Sequence, residues 1–262
     1  MRRTTLAALC LAASAAVGLT ACLPGQGDAD SKSSSSAGAD GSGTAGGTKE
    51  PFAGLTGSEI ADRALEATTA ASSLRVTGDI PDDQTGGTIH LDMALNKRSE
   101  CAGSMRLGEG KADLIKTGDT IYMRYDEAFL RAQSGGEAEA EVDAVVDMLA
   151  GKWTKTSAKG EDAMDIAGFC DLDTMLGGAE DVNSDAARGK TTTIDGTPAI
   201  TLREKDGKDR YTVYVATEGK PYLLRIDSTS VGDRSTLAFS DYDKPVPAQK
   251  PSGEILDLDE LG

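Results

Sequence analysis

The side chains able to do acid–base or nucleophilic chemistry are few in this sequence and poorly spaced for it. His90 is the only imidazole. It falls on the polar side of an alternating run, where it reads as a solvated side chain rather than a proton shuttle. No Ser–His–Asp or Cys–His set can be assembled around it. Arg188, Gly189, Lys190 and Thr191 imitate the close of a phosphate loop, but Ser184 stands where its first glycine is needed, and the residues that follow read as strand rather than helix. The acids Glu137, Glu139, Glu141 and Asp143, like Asp171 and Asp173, lack the glycine-centred loop spacing that gathers oxygen ligands around calcium. A solvated helix face explains them better. Trp153 is of a type that stacks on sugars, yet a single tryptophan beside a turn more often anchors a core. The expectation is a protein with no catalytic residues, no metal site and no cofactor.

Sulfur chemistry is better placed. Leu19, Thr20, Ala21 and Cys22 close a short apolar segment that begins after Arg2 and Arg3. A basic start, an apolar stretch too short to span a bilayer comfortably and small residues before a cysteine resemble a bacterial lipoprotein signal. That resemblance implies cleavage before Cys22 and a diacylglyceryl group on its sulfur, two chains being enough for stable anchoring. An ordinary secretory signal with a chance cysteine, or an uncut membrane helix, is the alternative. Residues 1–21 are read as signal, and the chain as extracytoplasmic and lipid-anchored to the cell membrane. Cys10 leaves with the signal, so Cys101 and Cys170 remain as a pair in an oxidising compartment, where a disulfide is expected. Two buried free thiols are the other possibility.

Charge removes further classes of function. The chain carries 27 basic and 43 acidic residues, and loss of the two signal arginines takes the net charge from −16 to −18. Such a surface repels phosphate backbones and anionic headgroups, so no nucleic-acid partner is expected and any membrane contact must come through the N-terminal lipid. A protein partner cannot be named from sequence. Residues 22–54 are Gly-, Ser- and Ala-rich with almost no apolar side chains, the composition of a flexible linker with a reach of roughly 30 Å.

Residues 55–262 have the length of one sizeable domain. A helix is expected from Ser58, its capping residue, to Ser72, with Ile60, Ala64, Ala67 and Ala71 on one stripe. Period-two runs follow. Ile89, Leu91, Met93 and Leu95 alternate with polar residues, then Cys101, Gly103, Met105 and Leu107, a run from Lys111 to Thr117, and Ile121, Met123 and Tyr125. A helix from Glu137 to Leu149 and a second from about Asp162 to Leu176 interrupt the pattern. Four more strands follow, carrying Ile200 and Leu202; Tyr211, Val213 and Val215; Leu224 and Ile226; Leu237 and Phe239. Their turns are marked at Asp195–Gly196, Asp206–Gly207, Glu218–Gly219 and Gly232–Asp233. The tail from Pro245 reads as extended. Eight or nine antiparallel strands with one apolar face and helices over it give an α+β domain.

The order helix, meander, helical insert with Lys152 and Trp153, the strand sequences beginning at Asp195 and Gly219, and the closing Phe239–Tyr242 with its Pro-rich acidic tail resemble the LolA/LppX/LprG group over most of residues 55–262. That resemblance implies a large curved antiparallel sheet, a half-open barrel whose concave face is covered by helices, with lipid or acyl chains held between. The implied function is a lipoprotein that carries lipids in the cell envelope. The cavity would be lined by Leu91, Met93, Leu95, Met105, Leu107, Ile121, Met123 and Val213. The residues themselves leave this open, since adaptable methionines suit an irregular core as well as an acyl tunnel. Without the resemblance, a filled core in a non-catalytic envelope binding or regulatory module is the better reading. A disulfide reaching the helical insert departs from the group's general pattern and would limit how far the cover opens.

Overall fold

A computed structural model describes residues 50–82, 87–177, 185–229 and 234–260. The signal segment, Cys22, the linker up to residue 49, Ser184 and the turn at Gly232–Asp233 lie outside the described residues.

Helix α1 runs from Gly57 to Ala70. Its cap is Thr56, two residues before the expected Ser58, because Thr56 and Glu59 form a reciprocal capping box. The Glu59 amide donates to Thr56 Oγ1 at 3.2 Å and the Thr56 amide to Glu59 Oε2 at 2.7 Å. The buried side of α1 consists of Gly57, Ile60, Ala61, Ala64 and Thr68. Small residues there let the helix lie close. A Cβ on Gly57 would stand 1.9 Å from the Ala186 carbonyl oxygen.

Twelve strands form one sheet: β1 (Ser73–Asp82), β2 (Gly87–Asn96), β3 (Cys101–Leu107), β4 (Gly110–Thr117), β5 (Thr120–Tyr125), β6 (Trp153–Ser157), β7 (Ala187–Ile194), β8 (Thr197–Asp206), β9 (Asp209–Ala216), β10 (Leu223–Thr229), β11 (Arg234–Ser240) and β12 (Ile255–Asp257). Their spatial order is β12-β6-β5-β4-β3-β2-β1-β11-β10-β9-β8-β7. All neighbours are antiparallel except β12 and β6. The sheet is open, with β12 and β7 at its edges, and the fold is the expected α+β with a large curved sheet.

The sequence pattern missed β1, although this strand joins the two halves. It pairs with β2 over ten positions from Ser73–Asn96 to Asp82–Gly87, and with β11 on its other side. Its alternation, Leu74, Val76, then Gly78 and Ile80, lapses at Gly78, where a Cβ would meet the Thr236 carbonyl oxygen at 1.9 Å. The missing side chain is what close strand approach requires, and it erases the pattern. Strand β6 was missed because it is Trp-Thr-Lys-Thr-Ser, with only Thr154 buried. Strand β12, in the tail expected to be merely extended, pairs with it in parallel.

The helical insert also differs in detail. An additional helix α2 spans Glu127–Gln133, capped by Asp126, and α3 spans Glu139–Leu149. The expected long second helix is two, α4 (Glu161–Gly168) and α5 (Leu172–Gly177). Asp171 divides them, its Oδ1 accepting the Thr174 amide at 2.8 Å and so capping α5. In the break sits Cys170, bonded to Cys101 of β3 with the Cα atoms 5.2 Å apart. Both cysteines are fully buried.

Candidate functional site

Register places one side chain from each strand in ranks across the sheet. One rank holds Leu95, Leu74 and Cys101; the next Met93, Val76, Phe239 and Gly103; the next Met105, Leu91, Gly78, Leu237, Ile226, Val213 and Leu202. These ranks make the inner face. All eight residues expected from the sequence to line a cavity, Leu91, Met93, Leu95, Met105, Leu107, Ile121, Met123 and Val213, join the main apolar cluster or pack against it. Seven are buried: Leu91, Met93, Leu95 and Ile121 are at most 1% exposed, and Leu107, Met123 and Val213 at most 9%.

The face is not covered evenly. Ile60, Ala61 and Ala64 of α1, Ala163 of α4 and Leu172 and Leu176 of α5 join the cluster. Ile89, Met105, Ile226 and Leu237 point to the same side but stay half-buried. Three of these four were not among the expected lining residues, although each lay in an alternating run. The signal was present, but period-two spacing gives the face a side chain takes, not whether another element covers it.

Three depressions formed by described residues lie elsewhere. The largest, about 1120 Å³, follows β7 and β8 and is bordered by Glu50, Arg188, Lys190, Thr191 and Ile200. Two of about 180 and 190 Å³ lie beside Ser99 and Asp171 and beside Asp113 and Arg124. None of the eight expected residues borders them.

His90, Arg188, Asp143, Asp171 and Trp153, all considered for chemistry, make structural contacts instead. His90 is exposed on the outer face, its Nδ1 2.8 Å from Asp79 Oδ1. Arg188 lies in a strand and clamps the chain entering α1: its guanidinium donates to the Pro51, Phe52 and Leu55 carbonyls at 2.5, 2.8 and 3.3 Å and to the Glu50 carboxylate at 3.0 Å. Residues 50–54 are therefore packed against the domain. Arg188→Gln should cost about 2 kcal/mol, the net worth of a few charge-assisted hydrogen bonds. Limited proteolysis should then cut near Glu50 before the sheet melts.

Asp143 of α3 accepts from Arg131 of α2 at 2.8 Å and so joins the two helices, while Arg131 also reaches Glu127 within α2 at 2.9 Å. Asp171 holds α5 and accepts the Ser99 hydroxyl at 2.8 Å. Trp153 faces outward, away from the core, beneath the Arg124 guanidinium at 4.8 Å. Among the described residues no group of three or more His, Cys, Asp or Glu is arranged to hold a metal, and no helix is long and apolar enough to cross a membrane.

Two inner-face polar groups stand out. Lys116 is buried and donates to the Ser99 carbonyl at 2.7 Å. Glu204, half-buried on β8, has its carboxyl pushed up to about 6 by burial and then by Asp185 and Asp206. Its folded form holds a proton more tightly than its unfolded form, so its contribution to stability is full below about pH 4.5 and fades as pH rises through 6. Glu204→Gln should raise Tm at pH 7 and leave it nearly unchanged at pH 4, read by calorimetry.

No protein-family model matches the chain, and no curated protein matches it. Among solved structures, LprF from Mycobacterium bovis aligns with a TM-score of 0.53 at 13% identity, covering 75% of this chain and 97% of the other. The lipoprotein LppX from Mycobacterium tuberculosis aligns with a TM-score of 0.49 at 15% identity, covering 73% and 97%. The likeness expected from the sequence is met at the level of fold, with LprF carrying it.

Proposed function

We propose that this chain is an extracytoplasmic lipoprotein, anchored through Cys22, that holds an acyl chain or lipid on the inner face of its sheet and carries it in the cell envelope. The observation that carries the reading is the set Ile89, Met105, Ile226 and Leu237: apolar, on the core side of the sheet, and only half-buried. Each CH2 covered there is worth about 0.8 kcal/mol, so a long chain gains much without any specific polar contact. The shared LprF fold and the resemblance to the LolA/LppX/LprG group support it. The full burial of Leu91, Met93, Leu95 and Ile121 favours the second reading, a binding or regulatory module whose core is already filled.

Native mass spectrometry of the full chain with Cys22→Ser separates the two. The carrier reading expects a co-purified lipid lost on organic extraction, and a clean protein mass from several lipid-rich preparations would refute it. In the unaltered chain the mature N-terminal peptide should begin at Cys22 and carry acyl mass, with Cys22→Ala releasing the protein from membranes.

A further inference from the structure

The pleat that builds the inner face also decides what stands at its rim. Two residues beyond Leu202, Val213, Ile226 and Leu237, and so on the same side, come Glu204, Tyr211, Ser228 and Ser235. Register pairs Glu204 with Tyr211, Tyr211 with Ser228, and Ser228 with Ser235. The two serine hydroxyls are hydrogen-bonded at 2.6 Å. With strands about 4.8 Å apart, these four half-buried side chains make a polar rank about 14 Å long along the edge of the apolar one. On β1, β2 and β3 the same rank is Ile80, Ile89 and Leu107. The rim is therefore polar over β8–β11 and apolar over β1–β3, the arrangement that fixes which way an amphiphile lies. A chain covering Ile226 and Leu237 brings its polar end to the four.

Charge narrows the kind of polar end. Among the described residues, Tyr211 lies across from Glu204 on β9, and the charged groups that act on its carboxyl, Asp185 ahead of β7 and Asp206 farther along β8, are both acids. Arg188, opposite Leu202 on β7, is taken up by Glu50 and the Pro51, Phe52 and Leu55 carbonyls. Arg203 and Lys205, its neighbours in sequence, fall on the outer face by alternation. Burial and the two acids hold the Glu204 carboxyl near 6, and it is mainly ionised at neutral pH. A phosphate or carboxylate arriving there meets like charge, and among the described residues no cation acts on Glu204 to offset it. Hydroxyls, by contrast, can donate to Glu204 and exchange hydrogen bonds with Tyr211, Ser228 and Ser235.

We propose that Glu204, Tyr211, Ser228 and Ser235 form the head-group subsite of the lipid site, selecting amphiphiles with an uncharged, hydroxyl-bearing head over anionic ones. The inference rests on the lipid-binding reading above. The test uses the full chain with Cys22→Ser and measures displacement of a fluorescent acyl probe by a monoacylglycerol and by a lysophosphatidic acid of the same chain length at pH 8. The neutral ligand should bind about tenfold tighter, the scale of one like-charge contact near a protein surface. Glu204→Gln should bring the two within about twofold of each other. Glu139→Gln, an equal charge change at an exposed position of α3, should leave the ratio unchanged, and thermal melting reports whether each variant is folded.

Equal binding of both ligands by the unaltered protein, or an unchanged ratio in folded Glu204→Gln, overturns the subsite and leaves the lipid-binding reading standing. Failure of both ligands and the probe to bind overturns that reading, and the subsite with it. Tyr211→Phe gives an independent check: it should weaken the monoacylglycerol severalfold and leave the lysophosphatidic acid unmoved, and equal weakening of both also counts against the subsite.

Discussion

Replacing Cys101 and Cys170 together by alanine is expected to lower stability by about 4 kcal/mol, the loop-closure worth of a bridge across a separation of this size. The bridge spans 69 positions in sequence. For a domain of this length that corresponds to a fall in Tm of about 10 °C, visible in a single melting experiment. The loss should not be uniform. Helices α4 and α5 have eight and six residues, far too short to persist alone, so their order depends on tertiary attachment. That attachment is concentrated. Cys170 fixes the break between them to β3, Ser99 bonds Asp171 at 2.8 Å, and Lys116 bonds the Ser99 carbonyl at 2.7 Å. Hydrogen exchange in the double variant should therefore rise first across Glu161–Gly177 while β2, β3 and β4 remain protected. Equal acceleration in helices and strands would show that the bridge acts on the domain as a whole.

The second large effect concerns ligand binding. Ile226→Glu and Leu237→Glu, made together, should abolish acyl-chain binding, a loss of at least a hundredfold, with only a modest loss of stability. Both side chains are half-buried, so in the unliganded protein each carboxylate can keep water. Covering it with a hydrocarbon chain removes that water at a cost of several kcal/mol. Met93→Ala is the contrasting change. Met93 is fully buried, and its truncation should cost about 2–5 kcal/mol of folding stability through the cavity left behind. If the double glutamate variant binds lipid like the unaltered protein, the chain does not lie over β10 and β11.

Sequence pattern revealed the parts of this fold in which burial alternates cleanly. Strand β4 alternates buried and half-buried at every position, and β2 does so from Leu91 onward; both were readable. It failed at β1, where Gly78 trades a side chain for close contact with β11, and at β6, whose pairing rests on backbone and a polar sequence. The α1 boundary was read from Ser58, although Thr56 and Glu59 already held the spacing of a capping box. The long helix expected through Cys170 ignored Asp171, a residue that caps a new helix as readily as it sits on the face of an old one. The disulfide was legible because Cys101 and Cys170 are the two cysteines left once the expected signal and its expected lipidation site are set aside. The incomplete burial of Ile226 and Leu237 was not, since it depends on where α1, α4 and α5 stop covering the sheet. Arg188 was misleading for a related reason: its carbonyl partners lie more than 130 positions away in sequence.

The apolar inner face as an acyl-chain site is tested most directly by photolabelling. A diazirine-bearing fatty acid is incubated with the full chain carrying Cys22→Ser, irradiated, and the labelled peptides are mapped. Labels should concentrate on Ile226, Leu237, Met105 and Ile89, and excess unlabelled fatty acid should suppress them. Labelling confined to the outer face or the β7 edge, or labelling that competitor does not reduce, would contradict the proposal.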